Sequence, residues 1–181
     1  NLDGIWFDFE INGQIEHFHA PLLGAFNATN LCAVILVSLE LGLSLEDIKI
    51  ALHNLQPVDH RLKLIKANGK IILDDSFNGN LEGMLEAVKL CETHTNGKKI
   101  IVKPGIVEST EEENIIFAKA VDSIFDLVII TGALNQKVLS QNINNEKVMV
   151  LSNKKELENV LANMSKSGDL ILFANDAPNF I

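Results

Sequence analysis

The chain has only two cysteines, Cys32 and Cys91, in 181 residues. They lie far apart, each inside a helical pattern. That excludes a disulfide framework or a cysteine metal site and leaves two buried free thiols. Basic residues are also scarce: 15 Lys and Arg stand against 24 Asp and Glu, a formal charge of -9. The densest basic clusters are the pairs Lys98-Lys99 and Lys154-Lys155, so a nucleic-acid partner is not expected. No apolar run approaches the ~20 residues of a membrane-spanning helix, and no signal peptide is visible. The glycosylation sequon at Asn27-Ala28-Thr29 is therefore discounted, and a reducing cytoplasm is the expected compartment. The phosphate loop G-x-x-x-x-G-K-[ST] and the dinucleotide motif G-x-G-x-x-G are both missing, as is a G-x-S-x-G nucleophile elbow. An initiator Met is missing too: the chain opens on Asn1 and reads as a piece of something longer.

The composition present is that of an ordinary globular protein, 47% hydrophobic and 22% charged. Ile5–Phe9 and Ile15–Phe18 read as two strands joined through Asn12-Gly13, a strong hairpin signal. A helix of about 15 residues follows, with Leu31, Val34, Ile35, Ser38 and Leu39 on one face and Gly42 ending it. Ser44 with Asp47 starts a second helix reaching about His53. Residues 56–69, broken by Pro57, read as a linker or boundary. Beyond them strands and helices alternate: Ile71–Leu73, a helix carrying Leu81, Met84, Leu85, Val88 and Cys91, then Lys99–Val102. Ser109 and Glu112 cap a helix to about Ile124, followed by strands at Leu127–Ile130 and Val148–Leu151. Asn153 and Glu156 cap a helix whose face is Leu157, Val160, Leu161 and Met164, and Leu170–Phe173 is the last strand. Strands this apolar, alternating with helices, predict a doubly wound α/β domain with a mostly parallel sheet covered on both faces.

Ligands of such a sheet sit beyond the carboxyl ends of its strands. Asp74 and Asp75 fall at one such end, the Pro104–Glu108 loop at another, and Asn175-Asp176 at a third. An acid placed there can hold ribose hydroxyls, or it can cap the next helix. Asn78 and Asn80 are good helix-capping residues, and for Asn80 alone capping is the favoured role. Asn27 and Asn30, three apart at a helix start, can read a base edge or cap the helix. Arg61 suits phosphate recognition, though a lone Arg is equally a surface residue. His17 and His19 alternate on one strand without an evident third ligand, so no metal site is expected there.

In order, these residues form one pattern: Gly24-Ala25-Phe26-Asn27-Ala28-Thr29-Asn30, then His60-Arg61, then Asp74-Asp75-Ser76-Phe77-Asn78-Gly79-Asn80 with Met84. The pattern resembles the Mur ligases, the ATP-dependent amide ligases of peptidoglycan precursor synthesis, across essentially the whole chain. Among them it is most similar to the members that add D-Ala-D-Ala to a UDP-N-acetylmuramoyl-tripeptide. Those typically read G-x-H-N-x-x-N, then G-R, then D-D-S-Y-N-A-N-P. The resemblance implies that residues 1–62 are the tail of a central ATPase domain, a hairpin plus two helices. Residues 63–181 would then form a C-terminal Rossmann-like domain, and the phosphate loop and sugar-binding domain would belong to missing N-terminal parts. It implies ATP and Mg²⁺ as cofactors, acyl-phosphate formation on the peptide carboxylate, and attack by the dipeptide amine. Asn27 and Asn30 would contact adenine, Arg61 the phosphates, and Asp75 the ribose, while Phe77, Asn78 and Asn80 line the same crevice. The incoming dipeptide would bind near Asn175 and Asp176. The same resemblance implies that the fragment alone does not turn over. The rivals are another ligase of this superfamily, such as a folylpolyglutamate synthase, and a non-enzymatic α/β binding module.

The chain departs from the pattern at several points. Phe26 stands where the family has His, His60 where it has Gly, and Phe77 where it has Tyr. Residues 102–109 share mainly a Gly and a Glu with the family's L-G-D-M-x-E-L-G. Ala174-Asn175-Asp176 replaces a late K-G-S.

Overall fold

The computed structural model describes residues 1–77 and 79–174. The chain forms two compact units, Asn1–Val58 and Asp59–Ile181.

In the first unit, β1 (Ile5–Ile11) and β2 (Gln14–Ala20) pair antiparallel, with Ile11 opposite Gln14. Asn12 and Gly13 both take left-handed φ, 52° and 80°, the geometry a two-residue hairpin turn requires. Helix α1 runs Phe26–Glu40 and α2 runs Leu45–His53. Ser44 Oγ accepts the Asp47 N–H, capping α2 as its sequence implies, and Gly42 ends α1 at φ 86°. Phe18 and Ala20 of β2, Leu31 and Ile35 of α1, and Ile48 and Leu52 of α2 make the core. The expected α1 stripe is only half right: Leu31 and Ile35 are buried, but Val34 is half exposed. The helix is apolar on more than one face, so spacing alone does not choose its inner one.

The second unit is a six-stranded sheet in the order β3-β4-β8-β5-β6-β7, wrapped by helices. Its strands are β3 (Lys63–Ala67), β4 (Lys70–Asp75), β5 (Lys99–Lys103), β6 (Leu127–Ile130), β7 (Val148–Val150) and β8 (Leu170–Ala174). All neighbours are parallel except β3, which pairs antiparallel with β4 at one edge. The α/β fold is the one the alternating pattern predicts. The stretch expected as a linker, however, contains β3, joined to β4 by Asn68 and Gly69 at φ 52° and 74°. This is a second Asn-Gly hairpin, made by the same turn chemistry as the first.

Ile100, Val102, Ile129 and Ile171 point to one face, where Leu157, Val160 and Leu161 of α6 (Leu157–Met164) cover them. The alternate residues of the same strands point the other way. There Lys103 of β5 meets Phe117 of α4 (Glu111–Ile124), and α4 packs on α3 (Leu81–Glu92) and on a short α5 (Gln136–Asn142). Helix α5 is not foreseen, because its seven residues bury only Leu139.

Two helix starts also differ from expectation. Helix α4 is capped one residue later, by Thr110 and Glu113 in a complete capping box rather than by Ser109 and Glu112. Both frames satisfy S/T-x-x-E, and the frame that buries Asn114, Phe117, Ala118 and Val121 is the one adopted. Asn153 opens a single 3-10 turn (Lys154–Glu156) that precedes α6, so the helix proper begins at Leu157.

Candidate functional site

Strand β4 ends on the two carboxylates, and the alternation of a strand sends them to opposite sides. Both are met by the segment His60-Arg61-Leu62, which continues the β3–β4 register past the ladder. The Phe77 N–H donates to the His60 carbonyl at 3.2 Å, and the Leu62 N–H donates to Asp75 Oδ1 at 3.1 Å. His60 and Leu62 both hold left-handed φ, 63° and 50°. Such backbone persists in residues other than Gly only when its surroundings over-determine it.

Those surroundings are visible. His60 Nδ1 lies 2.9 Å from Asp74 Oδ2 and 3.0 Å from Ser76 Oγ. Asp74 Oδ1 accepts the Ser76 N–H at 3.2 Å. Asp74 thus ties the His60–Leu62 segment to the turn after β4. The Arg61 guanidinium lies over the Phe77 ring, 4.1 Å from its centroid, a cation–π contact.

Asp75 is the electrostatically unusual acid. Burial raises its pKa from 3.8 to about 6. The Leu62 N–H and the Arg61 charge pull it down, and the Asp74 charge pushes it up further. A carboxylate kept partly dehydrated beside a guanidinium, at the carboxyl end of a parallel strand, is suited to hydrogen-bonding vicinal hydroxyls of a charged ligand.

Asn80 Oδ1 accepts the Gly83 N–H at 2.9 Å and caps α3. Asn78, Asn175 and Asp176 lie outside the described residues. Asn27 and Asn30 belong to the first unit. Asn27 Nδ2 donates to the Leu23 carbonyl at 2.7 Å, and Asn30 is exposed. The N-cap of α1 is Ala25, without a side-chain cap, so neither Asn caps that end.

One contributor carries no signal in its local sequence. Asn114 of α4 is fully buried and holds the loop after β5. Its Oδ1 accepts the Ile106 N–H at 2.8 Å, and its Nδ2 donates to the carbonyls of Ile106 and Thr110, each at 3.0 Å. Asn135 Nδ2 donates to the same Ile106 carbonyl at 3.3 Å. The Asn114→Ala variant leaves buried backbone groups of Ile106 short of partners. It is expected to lose about 3 kcal/mol of stability in urea unfolding, and an unchanged midpoint would remove this anchoring role.

Among the described residues no cluster of three or more His, Cys, Asp or Glu is arranged to hold a metal ion. Mg²⁺ needs no such cluster, since it takes one or two carboxylates together with substrate phosphates and waters. No helix of the described residues is long and apolar enough to cross a membrane.

Residues 60–175 match the family "Mur ligase, glutamate ligase domain". The chain belongs to the Mur ligase family. The matched segment opens at His60, the first residue of the segment that contacts Asp74 and Asp75. Similarity to individual Mur ligases extends further. The UDP-N-acetylmuramoyl-tripeptide–D-alanyl-D-alanine ligase of Bacillus subtilis is 29% identical over 175 residues, 91% of this chain and 38% of that protein. The UDP-N-acetylmuramoyl-L-alanyl-D-glutamate–L-lysine ligase of Staphylococcus haemolyticus is 32% identical over 92 residues, 49% of this chain and 19% of its own. Among solved structures, a D-alanyl-D-alanyl ligase from Acinetobacter baumannii has a TM-score of 0.82 at 22% identity, covering 97% of this chain and 39% of that one. The MurF ligase from Thermotoga maritima in complex with ADP gives 0.79 at 20% identity, covering 98% and 42%. At such identities the structures establish the fold. The chain spans about two fifths of the length of these Mur ligases.

Proposed function

We propose that this chain is the C-terminal part of an ATP-dependent amide ligase that joins D-Ala-D-Ala to a UDP-N-acetylmuramoyl-tripeptide. The observation that carries the reading is the similarity to a ligase of that name along 91% of the chain. It is supported by a strand end built to hold a charged ligand. In this reading Asp75 accepts the ribose hydroxyls of ATP. Arg61, one residue before the Leu62 N–H that holds Asp75, meets the nucleotide's phosphates. Asp74 and His60 act through the backbone, fixing the turn that carries Ser76 and Phe77. Asn27 and Asn30 contact the adenine. Asn78 and Asn80 line the crevice, and Asn175 and Asp176 belong to the dipeptide site. ATP phosphorylates the peptide's terminal carboxylate, and the dipeptide amine displaces phosphate from the acyl carbon to form the amide. The phosphate loop and the sugar-binding region lie in other parts of the protein, so the 181-residue chain alone is inactive.

The L-lysine-adding relative keeps a second reading in view, because residues 102–109 depart from the usual D-Ala-D-Ala-adding pattern. One assay separates the two. ADP release by the full-length protein is measured with the UDP-tripeptide plus D-Ala-D-Ala, and with the UDP-dipeptide plus L-lysine. The proposal expects turnover only in the first mixture. Turnover without dependence on D-Ala-D-Ala, or turnover only with L-lysine, would overturn it.

A further inference from the structure

We propose that His19 and His53 form a binding site for a borderline divalent transition-metal ion of the Zn²⁺, Ni²⁺ or Cu²⁺ class, joining the β1–β2 hairpin to the end of α2. The site lies wholly within the first unit and is independent of the nucleotide site. His19 Nδ1 and His53 Nδ1 face each other at 3.2 Å. Two nitrogens that far apart, each ~2.0–2.1 Å from a common ion, subtend about 100° at it, close to a tetrahedral angle.

The surroundings of His19 suit this use. His19 Nε2 lies 3.5 Å from the Asp3 carbonyl oxygen. In the tautomer with its proton on Nε2, His19 presents the Nδ1 lone pair toward His53. An imidazole anchored through its far nitrogen to a backbone carbonyl is the usual arrangement behind a metal ligand. Without an ion, the His53 Nδ1–H donates to that lone pair. On binding, the ion takes the place of this Nδ1 proton, which leaves to solvent, and the neutral His53 ring carries its proton on Nε2.

The two histidines line a cavity of about 220 Å³ with Trp6, His17, Phe18 and Lys49, which leaves room for water as the remaining ligands. Its other polar groups are already engaged: Lys49 Nζ with Glu16 at 2.7 Å, and His17 Nδ1 with Asp8 at 2.6 Å. With imidazole as the only protein donor, the site selects against Mg²⁺ and Ca²⁺, which require oxygen.

The chain carries its own reporter, since its one tryptophan, Trp6, stacks on His19 with ring centroids 4.1 Å apart. The 181-residue chain is titrated with Ni²⁺ while Trp6 fluorescence is followed, with Mg²⁺ as the control ion. The expected result is saturable quenching at one Ni²⁺ per chain and no response to Mg²⁺. Affinity should fall at least ~10-fold in His53→Gln and be unchanged in His17→Gln. Saturating Ni²⁺ should also raise the melting temperature of the parent chain but not of His53→Gln. Quenching that never saturates, an equal response to Mg²⁺, or parental affinity in a folded His53→Gln chain would overturn the site.

Discussion

Replacing Asp75 with Asn is expected to make the chain more stable at pH 7.5 and the full-length ligase worse at binding ATP. The first half follows from the direction of the pKa shift. Burial lifts the Asp75 carboxyl from 3.8 to about 6 in the folded chain. The folded state therefore binds more protons than the unfolded state between those values, and its stability falls as pH rises across them. The stability tied to this group is complete below pH 3.8 and is lost as pH passes 6. A shift of that size corresponds to at most ~3 kcal/mol. Asn carries no charge to dehydrate and still offers an oxygen to the Leu62 N–H, which lies 3.1 Å from Asp75 Oδ1 in the parent chain. Urea unfolding should thus show Asp75→Asn ahead at pH 7.5, with the gap narrowing at pH 5 and closing near pH 4. The second half follows from the proposed ribose contact. Exchanging a charged acceptor for a neutral one should raise KM for ATP about tenfold, in line with the extra strength of charge-assisted bonds. A gain in stability with a loss of binding is the signature of a residue kept for function. A less stable Asp75→Asn at pH 7.5 would refute the first half, and unchanged ATP kinetics would refute the ribose role.

The largest loss of stability is expected from Phe117→Ala. Phe117 is fully buried on α4, and Nζ of Lys103, itself fully buried, lies 3.0 Å from the centre of its ring. Truncation to Ala opens a cavity that by itself costs about 3–5 kcal/mol. It also removes the aromatic face on which Lys103 packs, a contact of up to about 2 kcal/mol. The sum approaches the entire stability of many domains. Phe117→Leu separates the two contributions, since it keeps most of the volume and loses only the π face. Denaturant midpoints should rank parent, then Leu, then Ala. Equal midpoints for Phe117→Leu and the parent would show that the ring supplies volume alone.

How much of this was legible beforehand is best judged at Asn-Gly. The pair occurs at 12–13 and again at 68–69. The first reads as a hairpin because alternating strand residues flank it. The second is masked because Pro57 and a polar, charged stretch make residues 56–69 read as a boundary. The missed turn had consequences at the site. Extending the β3–β4 register outward from Asn68-Gly69 sets Leu62 opposite Asp75 and His60 opposite Phe77, and those are the hydrogen-bonded pairs observed. The signal was present, and only its strand context was weak. The capping frame at 109–113 is different, because both frames are locally sound and burial of Phe117 and Val121 chose between them. Nothing in the local sequence marks Lys103 as buried or Asn114 as a loop anchor, since both depend on which side chains arrive from distant segments.

The sequence by itself determined most of the strands and helices though not β3 or α5, the mostly parallel character of the sheet, the two carboxylates at a strand's end, and the ligase pattern to which they belong. Periodicity, turn residues and motif spacing are local properties, and a chain displays them before it folds. The resemblance already singled out Asp75, but only the tertiary structure supplies a physical difference between the two carboxylates. Asp74 and Asp75 are chemically identical neighbours. Their difference comes from alternation across the strand, which hands Asp74 to His60 and Ser76, and Asp75 to the Leu62 N–H in a partly dehydrated position beside Arg61. Dehydration is a property of everything packed around a group, so it exists only once distant residues have come together.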